Sequence, residues 1–322
     1  MLTPELITRD YGFEPDDSLV IGLVNNMPDA ALRATERQFC GLLSEAAQDC
    51  VIRLRLFSLP GIPRGRDAQL DLSERYQDIG QLYRSRVDGL IVTGTEPRAP
   101  IFSEEPYWPF LAQLVGWAKT HTISTLWSCL AAHAVVLESD GINRRRLGNK
   151  LFGLFECSKC IEHPLLNGIP SRWHVPHSRY NDLPEDALAA GGYQILSRST
   201  EVGADLFVKQ IGSLFVFVQG HPEYDAHTLL REYRRDVQRY LAGERDSYPE
   251  VPQSYFDIET IRAVEALRER ALVNRDPALF DDFPAVKIEE PSSWRRFAVR
   301  LYTNWVSYLA AHKYAQRELR VG

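Results

Sequence analysis

An α/β fold, with a mostly parallel sheet and helices on both faces, is predicted by two features of this 322-residue chain. Short apolar, β-branched runs alternate with helical patterns, which is the signature of a parallel sheet. Gly94, Cys129 and His221 also each fall just after such a run, where open sheets of this class place their sites. The run 19–24 is the first strand. Residues 30–47 follow as a helix, with Leu32, Phe39, Leu42, Leu43 and Ala46 as its apolar stripe. Residues 51–56 alternate as a strand, and 87–94 form a strand ending in a glycine turn. Residues 108–119 read as a helix and 124–128 as the strand before Cys129. The run 214–218 is a buried strand that delivers His221, and 226–241 is the next helix. Leu229, Tyr233, Val237 and Leu241 form its buried face, with Arg235 off that stripe. The pattern breaks over 247–254, returns as a charged helix over 258–273, becomes loop-like over 274–291 and closes with a helix over 294–315. No repeat or flexible linker divides the chain, so 1–322 is expected to form a single domain.

Composition excludes several classes. Hydrophobic residues make up 44% and charged residues 25%, as in soluble globular proteins. The net charge of −6 gives no reason to expect nucleic acid. No apolar run is long enough to span a bilayer. The N-terminal stretch lacks a basic region followed by an apolar core, so a cytoplasmic location is expected. The five cysteines, Cys40, Cys50, Cys129, Cys157 and Cys160, are an odd number and argue against a disulfide framework. Cys157-Ser-Lys-Cys160 is a CxxC, but zinc needs two more ligands and His163 is the obvious neighbour. The pair is read as coincidental spacing, and no metal site is expected.

The chemistry concentrates at two places. Ser124-Thr-Leu-Trp-Ser-Cys129-Leu reads as strand, sharp turn and helix. A thiol there sits near the first free amides of a helix, which favour the thiolate. Far downstream, Gln219-Gly-His221-Pro-Glu223 offers a histidine to move the proton and a carboxylate to orient the ring. A lone cysteine is more often core, but the strand-turn-helix context and the His-x-Glu favour nucleophilic acyl transfer. His133, one helical turn past Cys129, is the rival base, and its setting suits packing or hydrogen bonding. His177 is read as loop support.

The chain resembles the homoserine O-succinyltransferase family. The resemblance rests on Asn26-Met-Pro28, Ile91-Val-Thr-Gly94, Tyr107-Trp-Pro109, the Cys129 segment and Lys150-Leu-Phe-Gly-Leu-Phe-Glu156. It continues through Pro176-His-Ser-Arg-Tyr180, Gly220-His-Pro-Glu-Tyr-Asp-Ala226, Arg235-Asp236, Ser293-Trp-Arg295 and Thr303-Asn-Trp305. It implies the flavodoxin-like fold of class I glutamine amidotransferases. It further implies acyl transfer from an acyl-CoA, succinyl-CoA or acetyl-CoA, to the hydroxyl of homoserine in methionine biosynthesis. No permanently bound cofactor and a homodimer are also implied. Cys129 is then the nucleophile, His221 the base and Glu223 its partner, while Lys150, Ser178 and Arg235 contact substrate. Arg235 suits a bidentate clamp on the amino acid's carboxylate, and the amide of Leu130 is an oxyanion donor.

Three departures stand out. The family's lysine after Asn-x-Met-Pro is absent, the stretch reading Pro28-Asp-Ala-Ala-Leu-Arg33. In the loop after Gly94, a position linked to acyl choice, with glycine for succinyl and glutamate for acetyl, falls on Arg98, which can pair with the free carboxylate of a succinyl group. Residues 258–291 look longer than their family counterpart and read as a helical insertion. Succinyl is favoured over acetyl. The alternatives are another hydroxy amino acid such as serine as acceptor, a glutamine amidotransferase-like hydrolase, and a non-catalytic ligand-binding protein.

Overall fold

β1 (Leu19–Val24) lies between two parallel neighbours, β2 (Ile52–Phe57) and β3 (Gly89–Val92). β3 continues in parallel to β4 (Ser124–Ser128), and β4 to β9 (Ser213–Val218). These are the strands that the apolar runs predict. Each is buried on both faces, so its residues alternate between two cores rather than between core and water. Leu19, Ile21, Leu23, Ile91, Leu126, Leu214, Val216 and Val218 join one core. Val20, Val24, Leu90, Val92, Trp127, Phe215 and Phe217 join the other. The first core is closed by α1 (Asp29–Ala46) and α9 (Ser293–Val321). The second is closed by α4 (Trp108–His121) and α5 (Leu130–Asp140). The computed structural model describes residues 18–48, 50–99, 101–288 and 293–321.

The fold agrees with the α/β class, and it adds a half that the apolar runs do not announce. The sheet has nine strands among the described residues, ordered β2-β1-β3-β4-β9-β8-β7-β5-β6. β5 (Arg145–Lys159), β6 (Arg172–Asp182), β7 (Gln194–Ser199) and β8 (Gly203–Ile211) are joined to one another and to β9 by antiparallel pairings. β5 is exposed over much of its first half, and β6 is rich in polar residues, so neither shows a continuous apolar run. Small helices α2 (Arg66–Arg75), α3 (Ile79–Arg84) and α6 (Glu185–Ala190) fill connections.

α7 (Thr228–Leu241) starts two residues later than its periodicity suggests, because Asp225 accepts from the His227 amide at 2.9 Å and the Thr228 hydroxyl at 3.1 Å and holds a turn there. α8 (Ile258–Val273) and the segment after it pack on α7, forming a third apolar cluster with Phe152, Leu154, Tyr233 and Phe256. Within the stretch read as loop, 277–282 winds into a short 3₁₀ helix, and Arg234 lies over the rings of Phe280 and Phe283. Residues 289–291, the end of the expected insertion, lie outside the described residues, as does Pro100 of the Gly94 loop. α9 runs to 321, six residues beyond its expected end. No described helix is long and apolar enough to cross a membrane.

Candidate active site

Cys129 is the residue between β4 and α5, and its backbone shows why the turn is sharp. Its φ of 49° and ψ of −111° lie where a side chain is rarely tolerated. The strain is held by pairing on the neighbouring strand, since the Cys129 amide donates to the Val218 carbonyl at 2.7 Å. The half-buried thiol therefore stands at the carboxyl end of the sheet, ahead of the first amides of α5.

β9 brings the histidine to the same end. After Val218 the chain is fixed residue by residue. Gln219 accepts from His133 Nε2 at 2.8 Å and donates to the Ala204 carbonyl at 2.6 Å. The Gly220 amide donates to Asp205 at 3.2 Å, and a Cβ on Gly220 would meet Val175 at 2.5 Å and Asp205 at 2.9 Å, so only glycine fits between β6 and β8. The His221 amide donates to the Pro176 carbonyl at 2.7 Å. The imidazole's Nδ1 meets Glu223 Oε1 at 2.8 Å, its other nitrogen is left for the Cys129 sulfur, to which the ring is hydrogen-bonded, and Tyr224 stacks on it at 4.3 Å. Burial opposes a charged ring here, but the charges of Cys129 and Glu223 outweigh it and raise the imidazole pKa well above the ordinary histidine range. A raised pKa means that the imidazolium persists as pH rises past 6.5. Removing either support lets burial dominate. The His221 ring resonance is therefore expected to titrate at lower pH in Cys129→Ala and in Glu223→Gln than in the unaltered protein, as followed by NMR.

His133 is held in a different way. It is fully buried and bonded to Gln219, and burial pushes its pKa down to about 3, so it stays neutral and faces β9 rather than acting on the thiol. His177 is also fully buried, with Nε2 3.3 Å from Asp205 and Nδ1 accepting from Arg179 at 3.3 Å, and burial keeps its pKa low. Cys157 lies beside this pair, giving a buried Cys157, His177 and Asp205 group. With Nδ1 accepting from Arg179, the proton of neutral His177 is on Nε2, 3.3 Å from Asp205. Burial raises the Cys157 thiol pKa far above its usual value, while Cys160 is exposed. His163 caps the turn at 164–166 by accepting from the Leu165 amide.

The three expected substrate contacts gather around two carboxylates that sequence reasoning missed. Ser178 donates to Glu232 at 2.5 Å, and Tyr224 donates to the other oxygen at 2.6 Å. Lys150 sits 3.6 Å from Glu232 and 3.5 Å from Asp236, with its ammonium over the Phe152 ring. Arg235 donates two bonds to Asp236, which also pairs with Arg245 at 3.5 Å. A signal for Asp236 was available, because an acid three residues after Tyr233 and four before Tyr240 falls on the buried stripe of α7. Beyond this network a polar cavity of about 580 Å³ opens, lined in part by Arg146, Lys150, Asp236 and Arg245.

The loop after β3 borders the same place. Glu96 lies near enough to Arg235 to help raise its pKa. The amides of Arg98 and Ala99 donate to the buried Glu105 carboxylate at 2.5 and 2.7 Å, which fixes the loop, while the Arg98 residue is exposed. A Cβ on Gly94 would lie 3.0 Å from the Leu130 amide nitrogen, so this loop passes over the start of α5. At the end of β1, where the family's lysine is missing, Arg33 turns to an ion pair with Asp71 on α2. The buried Arg64 guanidinium instead donates to the carbonyls of Asn25 and Met27 and pairs with Asp29.

A profile described as Homoserine O-succinyltransferase matches residues 15–316. The chain belongs to the homoserine O-succinyltransferase family. Relatives named homoserine O-succinyltransferase include one from Methylorubrum extorquens, 48% identical over 91% of this chain and 87% of its own. Another, from Bradyrhizobium japonicum, is 49% identical over 91% and 90%. Among solved structures, a glutamine amidotransferase from Methylobacillus flagellatus aligns over 91% of this chain and 95% of its own, with a TM-score of 0.52 at 17% identity. That likeness shows that the chain shares its fold with this glutamine amidotransferase, in agreement with the fold expected from sequence.

Proposed function

We propose that the chain transfers a succinyl group from succinyl-CoA to the hydroxyl of L-homoserine through an acyl-cysteine on Cys129. The observation that carries the reading is the hydrogen-bonded series Cys129, His221 and Glu223 at the carboxyl end of the sheet in a member of this family. The raised imidazole pKa makes His221 the group that holds the proton as the Cys129 sulfur attacks. The thiolate attacks the thioester carbonyl, and the tetrahedral oxyanion is received by the Leu130 amide. As the C–S bond to CoA breaks, the imidazolium gives its proton to the leaving sulfur and becomes neutral. Neutral His221 then takes the homoserine hydroxyl proton as that oxygen attacks the acyl-cysteine. Collapse releases O-succinylhomoserine and returns thiolate and imidazolium, so each cycle restores the starting charges. Glu223 keeps the ring in the required tautomer throughout.

Arg235, Lys150 and Ser178 fix the amino acid, with Arg235 on its carboxylate. Homoserine replaces part of the bonding that Glu232 and Asp236 supply to these side chains when no substrate is present. Arg98, exposed on the loop that borders Arg235, pairs with the succinyl carboxylate.

The test is CoA release, read with a thiol-reactive dye, from succinyl-CoA and acetyl-CoA with and without homoserine and serine. Release that needs both succinyl-CoA and homoserine is expected. Preference for acetyl-CoA would remove the role given to Arg98, and preference for serine would overturn the acceptor. Ammonia from glutamine, with no CoA release, would replace the reading with that of a hydrolase.

A further inference from the structure

Tyr224 touches two parts of the site that the proposed chemistry uses at different moments. Its ring lies on the His221 imidazole, with centroids 4.3 Å apart and planes 16° from parallel. Its hydroxyl donates to Glu232 Oε1 at 2.6 Å. The other oxygen of Glu232 accepts from the Ser178 hydroxyl at 2.5 Å and lies 3.6 Å from the Lys150 ammonium. One phenol therefore stands between the imidazole and two of the side chains assigned to the acceptor.

The phenol is itself held. The Tyr224 amide donates to the His221 carbonyl at 3.1 Å, and the Trp294 indole donates to the Tyr224 carbonyl at 2.9 Å. The side chain is buried in the apolar cluster of α7 and α8. Glu232 comes from α7, whose first turn is tied to α1 by the bond from Gln38 to Thr228 at 2.7 Å. With its backbone and hydroxyl both fixed, the ring has little freedom to slide over the imidazole. The contact between His221 Nδ1 and Glu223 fixes one edge of the imidazole but leaves its tilt open. A flat ring against the face supplies that second restraint.

We propose that Tyr224 is a positioning residue that joins the acceptor side of the site to the base. Its ring sets the tilt of His221, and its hydroxyl sets the carboxylate on which Ser178 and Lys150 rest. The hydroxyl of a bound acceptor and the nitrogen that takes its proton are then placed from one side chain. For its effect on acyl transfer the proposal rests on the reading given above; its effect on the imidazole does not.

Two variants test it. Tyr224→Phe keeps the ring and removes the bond to Glu232, whereas Tyr224→Leu removes both. The readouts are alkylation of Cys129 by iodoacetamide, the burst of CoA from succinyl-CoA alone, and steady-state CoA release with homoserine. Tyr224→Phe is expected to leave alkylation and burst close to the unaltered rates. It should raise KM for homoserine about tenfold, the scale of one hydrogen bond to a charged group. Tyr224→Leu is expected to show that rise and also to slow alkylation and burst about tenfold. A tyrosine that serves stability alone would lower Tm and leave the folded protein's rates unchanged, or slow all three together in both variants. Either result overturns the proposal. Alkylation needs neither acyl-CoA nor homoserine. If the unaltered protein releases no CoA with any pair, the succinyl-transfer reading fails by itself. Slower alkylation in Tyr224→Leu but not in Tyr224→Phe would still support the hold on the imidazole, and equal alkylation in the two would overturn it.

Discussion

Cys129→Ala is expected to reduce turnover by on the order of 10⁴-fold or more, the scale seen when a nucleophile acting as part of a unit is removed. The reason is specific to this site. A thioester is reactive enough for water or hydroxyl to attack slowly. The fold, however, provides one strained position at which an attacking atom stands ahead of α5 and against a charged imidazole. Without the sulfur, His221 also loses the charge that keeps it protonated, so the proton donor for the departing CoA weakens at the same time as the nucleophile disappears. A folded Cys129→Ala protein should neither release CoA from succinyl-CoA nor acquire the mass of a succinyl group on incubation with it. Near-normal release by this variant would remove covalent catalysis from the account.

Gly94→Ala is expected to lower kcat by about 10²–10³-fold, the usual effect of losing one oxyanion donor. The added Cβ would stand 2.6 Å from Leu130 Cβ, 3.0 Å from the Leu130 amide nitrogen and 3.1 Å from that of Ala131. It therefore covers the first amides of α5 from the side of the β3 loop, where a substrate oxygen has to arrive. Nothing in this places the methyl between Cys129 and His221. Alkylation of the thiol by iodoacetamide should consequently proceed at close to the unaltered rate while acyl transfer fails. Circular dichroism and Tm check that the close contacts are absorbed without unfolding. A kcat within a few-fold of the unaltered protein would assign the oxyanion to other donors.

Much of the candidate site was legible because the parallel half of the sheet is read from apolar runs, and the candidate residues Cys129 and His221 sit at the ends of those runs. Cys129 and His221 could be placed without a structure for that reason. The residues around the neighbouring polar cavity were harder to read. Ser178 lies on β6 and Lys150 on β5, strands whose polar faces hide the period of two. Glu232 and Asp236 lie on α7, where acids next to arginines look like a solvated face until β5 is packed against them. Arg64 illustrates a different limit. It stands 36 residues from Pro28 in sequence, so only the pairing of β1 with β2 shows that it supplies the cation at the end of β1.

The long helix α9 spans about 44 Å at 1.5 Å per residue, and it reaches both halves of the proposed catalytic site. Trp305 bonds Ser124 at the base of β4, the strand that carries Cys129, and Trp294 holds the backbone next to Glu223. During synthesis every other described element leaves the ribosome before α9 does, and chains begin to fold from the N-terminal side as they emerge. Until α9 has emerged, a nascent chain that already carries Cys129 lacks the element that braces the turn bearing Glu223.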